Sequence, residues 1–491
     1  MWISREFYNL KQTLGMLILN GDSYIMDYIT NMFSESQYNA SILIIFVIVI
    51  FITGKLKANP MGSVYAFSLG NRTFSTTAIV CTLIATWVSA SGFSIDLTRF
   101  YDNGWKYLLP SLGMIIGILF ITIKVTPNTG RLLGSTSVAS YMGNNYGDKV
   151  RVITAIVGVL SLSGCIAIQF RILGEIAYYL LPVLKPHWFS LILGGLTVYY
   201  CYLGGIRSVI YTDVIQSFIF TVAFIISIVS LQTLPKADIS NEALFKFNVI
   251  SVFNSSKEEW MAMGSLFFYF MIPALNPAEF QRISLGVNVK QVQLSWIMSC
   301  IGFLLTILAG CYVAYELFLI NPTIDRKERL SYFLDQFYVL KPFIIVGILS
   351  MAMSTADSCI NISAVMLAND TYQRNVWTPY KKLRMAKLYT IVIGTLGYGV
   401  IFLKDDLLEL IMFTNGFYMP LITIPLMMSI FGYKISEKCV LLSIGITATF
   451  WIIWQLLYNT EPLIFTMTLN GFLLFITHYL IDKKNIKMLW N

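Results

Sequence analysis

Thirteen stretches of this chain contain no Asp, Glu, Lys or Arg: 38–54, 73–95, 107–123, 152–170, 188–206, 214–235, 260–278, 291–315, 342–356, 388–403, 410–433, 439–460 and 462–481. Most approach the roughly 20 residues that a helix needs to cross the hydrocarbon of a bilayer. Only Asp357 interrupts the ninth on its way to about residue 368. In hydrocarbon each backbone N–H and C=O must pair within the protein, which leaves helices as the spanning structure for runs of this length. Charged residues make up 12% of the chain, where a soluble domain carries about 25%. The expectation is an all-α, polytopic membrane helical bundle of 13 transmembrane helices.

The net charge of +8 reads as a topology signal and not as a nucleic-acid footprint. With the N-terminus outside, 20 of the 34 Lys and Arg residues fall in inward-facing loops, the asymmetry of the positive-inside rule. The chain is then an integral protein of the cell membrane, surrounded by lipid, with no nucleic-acid partner and a cytoplasmic C-terminus. Residues 1–37 are expected to be an N-terminal extracellular segment, without a cleavable signal sequence because charges interrupt their short apolar runs. Residues 38–482 form a single transmembrane domain, and 483–491 a short cytoplasmic tail. The two histidines and the seven cysteines have neither zinc-ligand nor disulfide spacing.

Two stretches carry helix breakers. "ATWVSASGFS" (85–94) places Ser89, Ala90, Ser91 and Gly92 together, and "MIPALNPAEF" (271–280) contains Pro273 and Pro277. A proline inside a helix removes a donor and clashes with the preceding turn, so both helices should be interrupted. They are the second and seventh spans, five apart, the offset of two five-helix halves in opposite orientation. Paired interruptions in a membrane bundle point to a transporter's binding site, since unwound carbonyls and half-helix ends hold ions and solute.

Within "SMAMSTADSCINISAVMLANDTY" (350–372), Ser354, Asp357, Ser358 and Asn361 stand at i, i+3, i+4 and i+7 and share one helix face. An acid at membrane depth faces the protein interior with a partner. One reading of this stripe is a structural network of hydroxyls and amide. The other is an oxygen-rich cation site, because a hard ion such as sodium takes hydroxyls, carbonyls and carboxylates. A second acid, Asp213, follows Gly204, Gly205 and Arg207 in "GGIRSVIYTDVIQ" (204–216).

These two segments resemble the most recognisable signatures of the sodium:solute symporter family, whose proline, choline and sugar carriers share the leucine-transporter-type fold. "FQR" (280–282) and the number of spans add to the resemblance, which runs from about residue 38 to 482. It implies a five-plus-five inverted repeat over about 73–433, with one extra N-terminal and two extra C-terminal helices. It implies no enzymatic activity and no organic cofactor, only Na+ as coupling ion and a small organic solute. By resemblance, sodium is bound by Ala85, Val88, Met351, Ser354 and Thr355. A second cation site corresponds to Asp213, Asp357 and Ser358, next to Ser354. Asp357 stands where many relatives have serine. Its carboxylate could tighten a second cation, stay protonated and couple to H+, or serve structure alone.

For the solute, the resemblance directs attention to Trp87, Ser91 and Gly92 at the first break, Cys165 and Gln169 on the fourth span, and Asn276 at the second break. Trp87 resembles the choline branch, and an indole suits a quaternary ammonium. Cys165 and Asn276 stand where that branch has further cage residues. In "AIQFRILGE" (167–175), Arg171 and Glu175 are either an interfacial ion pair or a carboxylate-binding arginine for an amino acid such as proline or an organic acid. Glu279 and Arg282 admit the same two readings, and the resemblance favours a structural role on the cytoplasmic side. The alternative to a symporter is a membrane sensor of the same fold, which would need a separate signalling partner.

Overall fold

The computed structural model describes residues 35–58, 62–248, 250–273, 275–371, 377–402, 407–458 and 462–482. Residues 1–34 of the expected extracellular segment and all of the expected tail 483–491 lie outside the described residues. In chain order the main elements are α1 (Glu35–Leu56), α2 (Val64–Leu69), α3 (Thr76–Trp87), α4 (Ala90–Asn103), α5 (Leu108–Phe120), α6 (Val138–Tyr146), α7 (Asp148–Leu180), α8 (Pro186–Thr233), α9 (Lys257–Met271), α10 (Pro277–Ser284), α11 (Val289–Ile320), α12 (Lys341–Asp370), α13 (Pro379–Val400), α14 (Leu407–Ile430), α15 (Glu437–Tyr458) and α16 (Leu463–Thr477). No strand occurs among the described residues.

Eight helical runs among the described residues are long and apolar enough to cross a membrane. The number falls below thirteen partly because some stretches merge and others split. The fifth and sixth become one run, α8, of 48 residues whose single non-helical residue is Gly205. Its φ of 50° is left-handed, and a Cβ there would lie 2.6 Å from the Phe67 carbonyl oxygen. Glycine is the residue this bend requires. Counting charge-free residues ends the fifth stretch at 206 and starts the sixth at 214, yet the helix continues between them. Arg207 and Asp213 are accommodated because each has a partner. Arg207 donates to Thr73 Oγ1 at 2.7 Å and to the Gly70 carbonyl at 3.2 Å.

The bundle has an apolar core crossed by a belt of enclosed polar residues, and its outer surface is apolar as well. Along α1, Ile44, Ile45, Ile48 and Ile52 are all exposed, as expected of a face turned to hydrocarbon. The hydroxyl-bearing helix α12 lies at the other extreme: 94% of its apolar window is buried, against 28% for α1. It packs against α7, α8 and α13. Its position explains how polar side chains survive there, since all of Ser354, Asp357, Ser358 and Asn361 are enclosed by protein.

Both expected interruptions are present. Helix α3 ends at Trp87; Val88 and Ser89 take extended backbone angles, and α4 starts at Ala90, with Ser89 Oγ accepting from the Gly92 amide at 3.0 Å. Helix α9 ends at Met271, and α10 begins at Pro277 with Asn276 as its cap. Pro277 breaks no helix. It sits at the first helical position, where its missing N–H costs nothing. The reversal falls instead on Leu275, which is fully buried and has a φ of 46°.

Candidate functional site

A helix that stops inside a protein leaves its last carbonyls without intrahelical partners. At the end of α3 that role falls to Ala85, whose carbonyl accepts from Ser354 Oγ of α12 at 3.0 Å. Ser354 Oγ also lies 3.1 Å from the Met351 carbonyl, to which Thr355 Oγ1 donates at 3.0 Å. Four of the five residues expected to hold sodium are therefore joined by hydrogen bonds where α3 meets α12. Val88 is buried three residues beyond Ala85, where the helix opens. The donor set is two carbonyls and two hydroxyls with no net charge, a combination that suits a small hard monovalent cation.

The residues expected at the second cation site form a contiguous cluster, and a resident cation lies among them. Arg282, from α10, is fully enclosed, with Nη2 3.6 Å from Asp213 Oδ2. Its Nη2 donates to Ser358 Oγ, its Nε to Thr82 Oγ1 at 3.1 Å and its Nη1 to Gln281 Oε1 at 2.9 Å. Thr82 donates in turn to Asp213. Asp357 is held separately, by the Tyr200 hydroxyl at 2.7 Å and more distantly by Thr212 at 3.5 Å and Ser358 at 3.4 Å. Ser358 links the two sites, because its hydroxyl donates to the Ser354 carbonyl at 2.9 Å. Arg282 joins α10 to α3, α8 and α12 through these contacts, from an enclosed position.

Beside the first break lies a cavity of about 330 Å3. All six expected solute residues line it: Trp87, Ser91, Gly92, Cys165, Gln169 and Asn276. Gln169 Nε2 donates to Ser91 Oγ at 2.9 Å, tying α7 to the start of α4. Trp87 packs edge-on against Trp296 at 5.3 Å between ring centres and against Phe303 at 5.6 Å. Its Nε1 donates to Glu279 Oε1 at 3.0 Å, while Glu279 Oε2 accepts from the Asn276 amide, also at 3.0 Å. Thr355, which donates to the Met351 carbonyl, lines the same cavity. A second cavity of about 320 Å3 lies beyond the indole and is lined by Glu279.

Arg171 is not part of this wall. It pairs with Glu175 at 2.9 Å, and both side chains are partly exposed, the interfacial arrangement. Reading the sequence missed Asp96, which lines the cavity, and Tyr200, which holds Asp357. Asp96 is the first charged residue after the second stretch, so a search for uncharged runs discards it. Its spacing of five from Ser91 gives only weak notice, being a little over one helical turn further along α4.

No family model matches the chain. The sodium/sialic acid symporter NanT of Aliivibrio fischeri (strain ATCC 700601 / ES114) is 24% identical over 340 residues, 64% of this chain and 66% of its own length. The matched region thus spans just under two thirds of that relative. A solved structure of a Na+-coupled sialic acid symporter, described as substrate-bound, outward-open and revealing a novel Na+ site, superposes with a TM-score of 0.77 at 18% identity. The superposition covers 92% of this chain and 99% of the other. The chain therefore has the fold of that symporter. Both relatives are transporters and not enzymes.

Proposed function

We propose that the chain is a sodium-coupled secondary active symporter that imports a small organic solute by alternating access. It crosses the cell membrane thirteen times as a single transmembrane domain over 38–482, with the N-terminus outside and the C-terminus in the cytoplasm. Residues from about 73 to 433 form the five-plus-five inverted repeat. The observation that carries this reading is the convergence of the Ala85 and Met351 carbonyls with the hydroxyls of Ser354 and Thr355, at a helix break that opens onto a cavity.

Sodium held by these atoms, with Val88 completing the set, fastens α3 to α12 and fixes the wall to which Thr355 and Trp87 belong. A solute then meets an organised surface, and the affinity of each ligand rises by the same factor in the presence of the other. Membrane voltage contributes about 2.3 kcal/mol per elementary charge per 100 mV. Arg282 occupies the centre of the Asp213 and Ser358 cluster with fixed charge, which supports coupling to a single sodium. No organic cofactor takes part.

Uptake of labelled solutes into proteoliposomes under an inward sodium gradient tests the reading. Accumulation that collapses when the gradient is dissipated is the expected result. Solutes that bind but never accumulate would leave the sensor as the better description.

A further inference from the structure

We infer that the cavity recognises an organic cation, a protonated amine, and not a carboxylate sugar of the kind named for the relatives. Only the transport part of this inference rests on the symport reading; recognition of charge is a property of the cavity itself.

Among the described residues, the wall of the 330 Å3 cavity contains one ionisable carboxylate, Asp96, and no Lys, Arg or His. Asp96 is half-buried and hydrogen-bonded by Tyr107. Among the described residues, the adjoining cavity again contains an acid, Glu279, and no basic residue. Basic side chains of the surrounding elements are engaged elsewhere: Arg171 with Glu175, Arg282 with Asp213, and Arg329 with Asp102. Arg99, one turn after Asp96 on α4, lines neither cavity and forms no ion pair with it among the described residues. A carboxylate ligand would meet the charge of Asp96 without the guanidinium or ammonium that normally receives such a group.

An independent feature favours a donor-bearing ligand. Gln169 is 1% exposed, its Nε2 donates to Ser91, and its Oε1 has no hydrogen-bond partner among the described residues. Gln169 lines the cavity, and a ligand N–H or O–H reaching this oxygen would satisfy an acceptor that otherwise loses its desolvation energy without return. Protonated amines supply that donor together with the charge that Asp96 balances. The remaining surface matches the organic part of such a cation. Trp87, Phe93, Phe270 and Phe303 present aromatic rings, whose faces attract ammonium groups and whose area accepts the attached hydrocarbon.

Binding and transport are measured separately on the full chain. Purified protein in 100 mM-scale NaCl is titrated calorimetrically with phenethylamine, putrescine, choline, proline and sialic acid. The expected result is that at least one amine binds, sialic acid does not, and Asp96→Asn weakens the amine by about tenfold or more while Asp96→Glu keeps most of the affinity. Sodium-induced thermal stabilisation should be retained in both variants, which shows that they fold. Binding of sialic acid but not of any amine, or an amine affinity indifferent to Asp96→Asn, overturns the inference. Accumulation in proteoliposomes is the second measurement. Sodium-driven uptake of sialic acid would retain the symport reading and refute the choice of cation, whereas an amine that binds through Asp96 but is never accumulated would retain the choice and refute symport.

Discussion

The Arg282 guanidinium lies 3.6 Å from the Asp213 carboxylate, and neither side chain exposes any surface. A charge pair at such depth is costly to desolvate, and further hydrogen bonds offset part of that cost. Arg282 donates such bonds to Thr82, Gln281 and Ser358, and Asp213 Oδ2 accepts one from Thr82, while Asp213 Oδ1 has no hydrogen-bond partner among the described residues. The pair therefore ties α10, which follows the second break, to α8, to α3 and to α12.

Removing the cation from this cluster leaves the Asp213 carboxyl buried without its counter-ion. Arg282→Gln is expected to destabilise the protein by about 3–5 kcal/mol, the range for breaking one side of a buried pair. The drop should appear as an earlier unfolding transition in detergent, followed by tryptophan fluorescence. The double variant with Asp213→Asn should recover part of the loss. Equal stability of Arg282→Gln and the parent protein would contradict the enclosure of this charge.

Ser354, whose Oγ donates to the Ala85 carbonyl at the end of α3, is one of the proposed sodium ligands. Its replacement by alanine removes an oxygen worth about 1.5–3 kcal/mol to a charged partner. The sodium concentration for half-maximal uptake should rise roughly tenfold or more at 1.4 kcal/mol per decade. An unchanged sodium dependence would dissociate Ser354 from ion binding.

Tyr200 provides the shortest hydrogen bond to Asp357, at 2.7 Å. Tyr200→Phe keeps the ring and deletes the donor. The loss of a buried partner should cost about 1–3 kcal/mol, readable as a lowered midpoint of thermal unfolding. Asp357→Asn added to that background should cause little further loss if the carboxylate is the group that Tyr200 serves.

Gly205 combines a left-handed φ with close contact to α2. Alanine there must adopt an unfavourable backbone conformation and displace the Phe67 carbonyl. Gly205→Ala should lower the folded yield in the membrane and the thermal midpoint, by about 1–2 kcal/mol from conformation alone. Gly264, where a Cβ meets nothing within 4 Å, provides the control, and its alanine variant should behave like the parent.

Local chemistry announces some of this architecture. Ser89 to Gly92 mark the first break, the run 272–277 marks the second, and the stripe from Ser354 to Asn361 is enclosed as its spacing implies. What remained illegible depends on groups that meet across large sequence separations. Nothing near residue 282 indicates that its side chain reaches Asp213, and nothing near residue 200 indicates a bond to Asp357. Pro277 shows a different limit: a residue that destroys helix interiors also starts helices, and which role applies is decided by where the preceding helix has already stopped. Gly205 shows a third, because one glycine lets a helix resume through Arg207 and Asp213, charges that a count of apolar residues treats as a boundary.

Trp87 closes α3 and Glu279 lies in the first turn of α10, so the 3.0 Å contact between them fastens one broken helix to the other. Trp87 lines both cavities, together with Thr86, Met114, Ser161, Phe270 and Asn276. Any movement of its ring away from Glu279 would give up the hydrogen bond that joins the two discontinuous helices, so the shape of this wall and the spacing of the two breaks are set by the same contact.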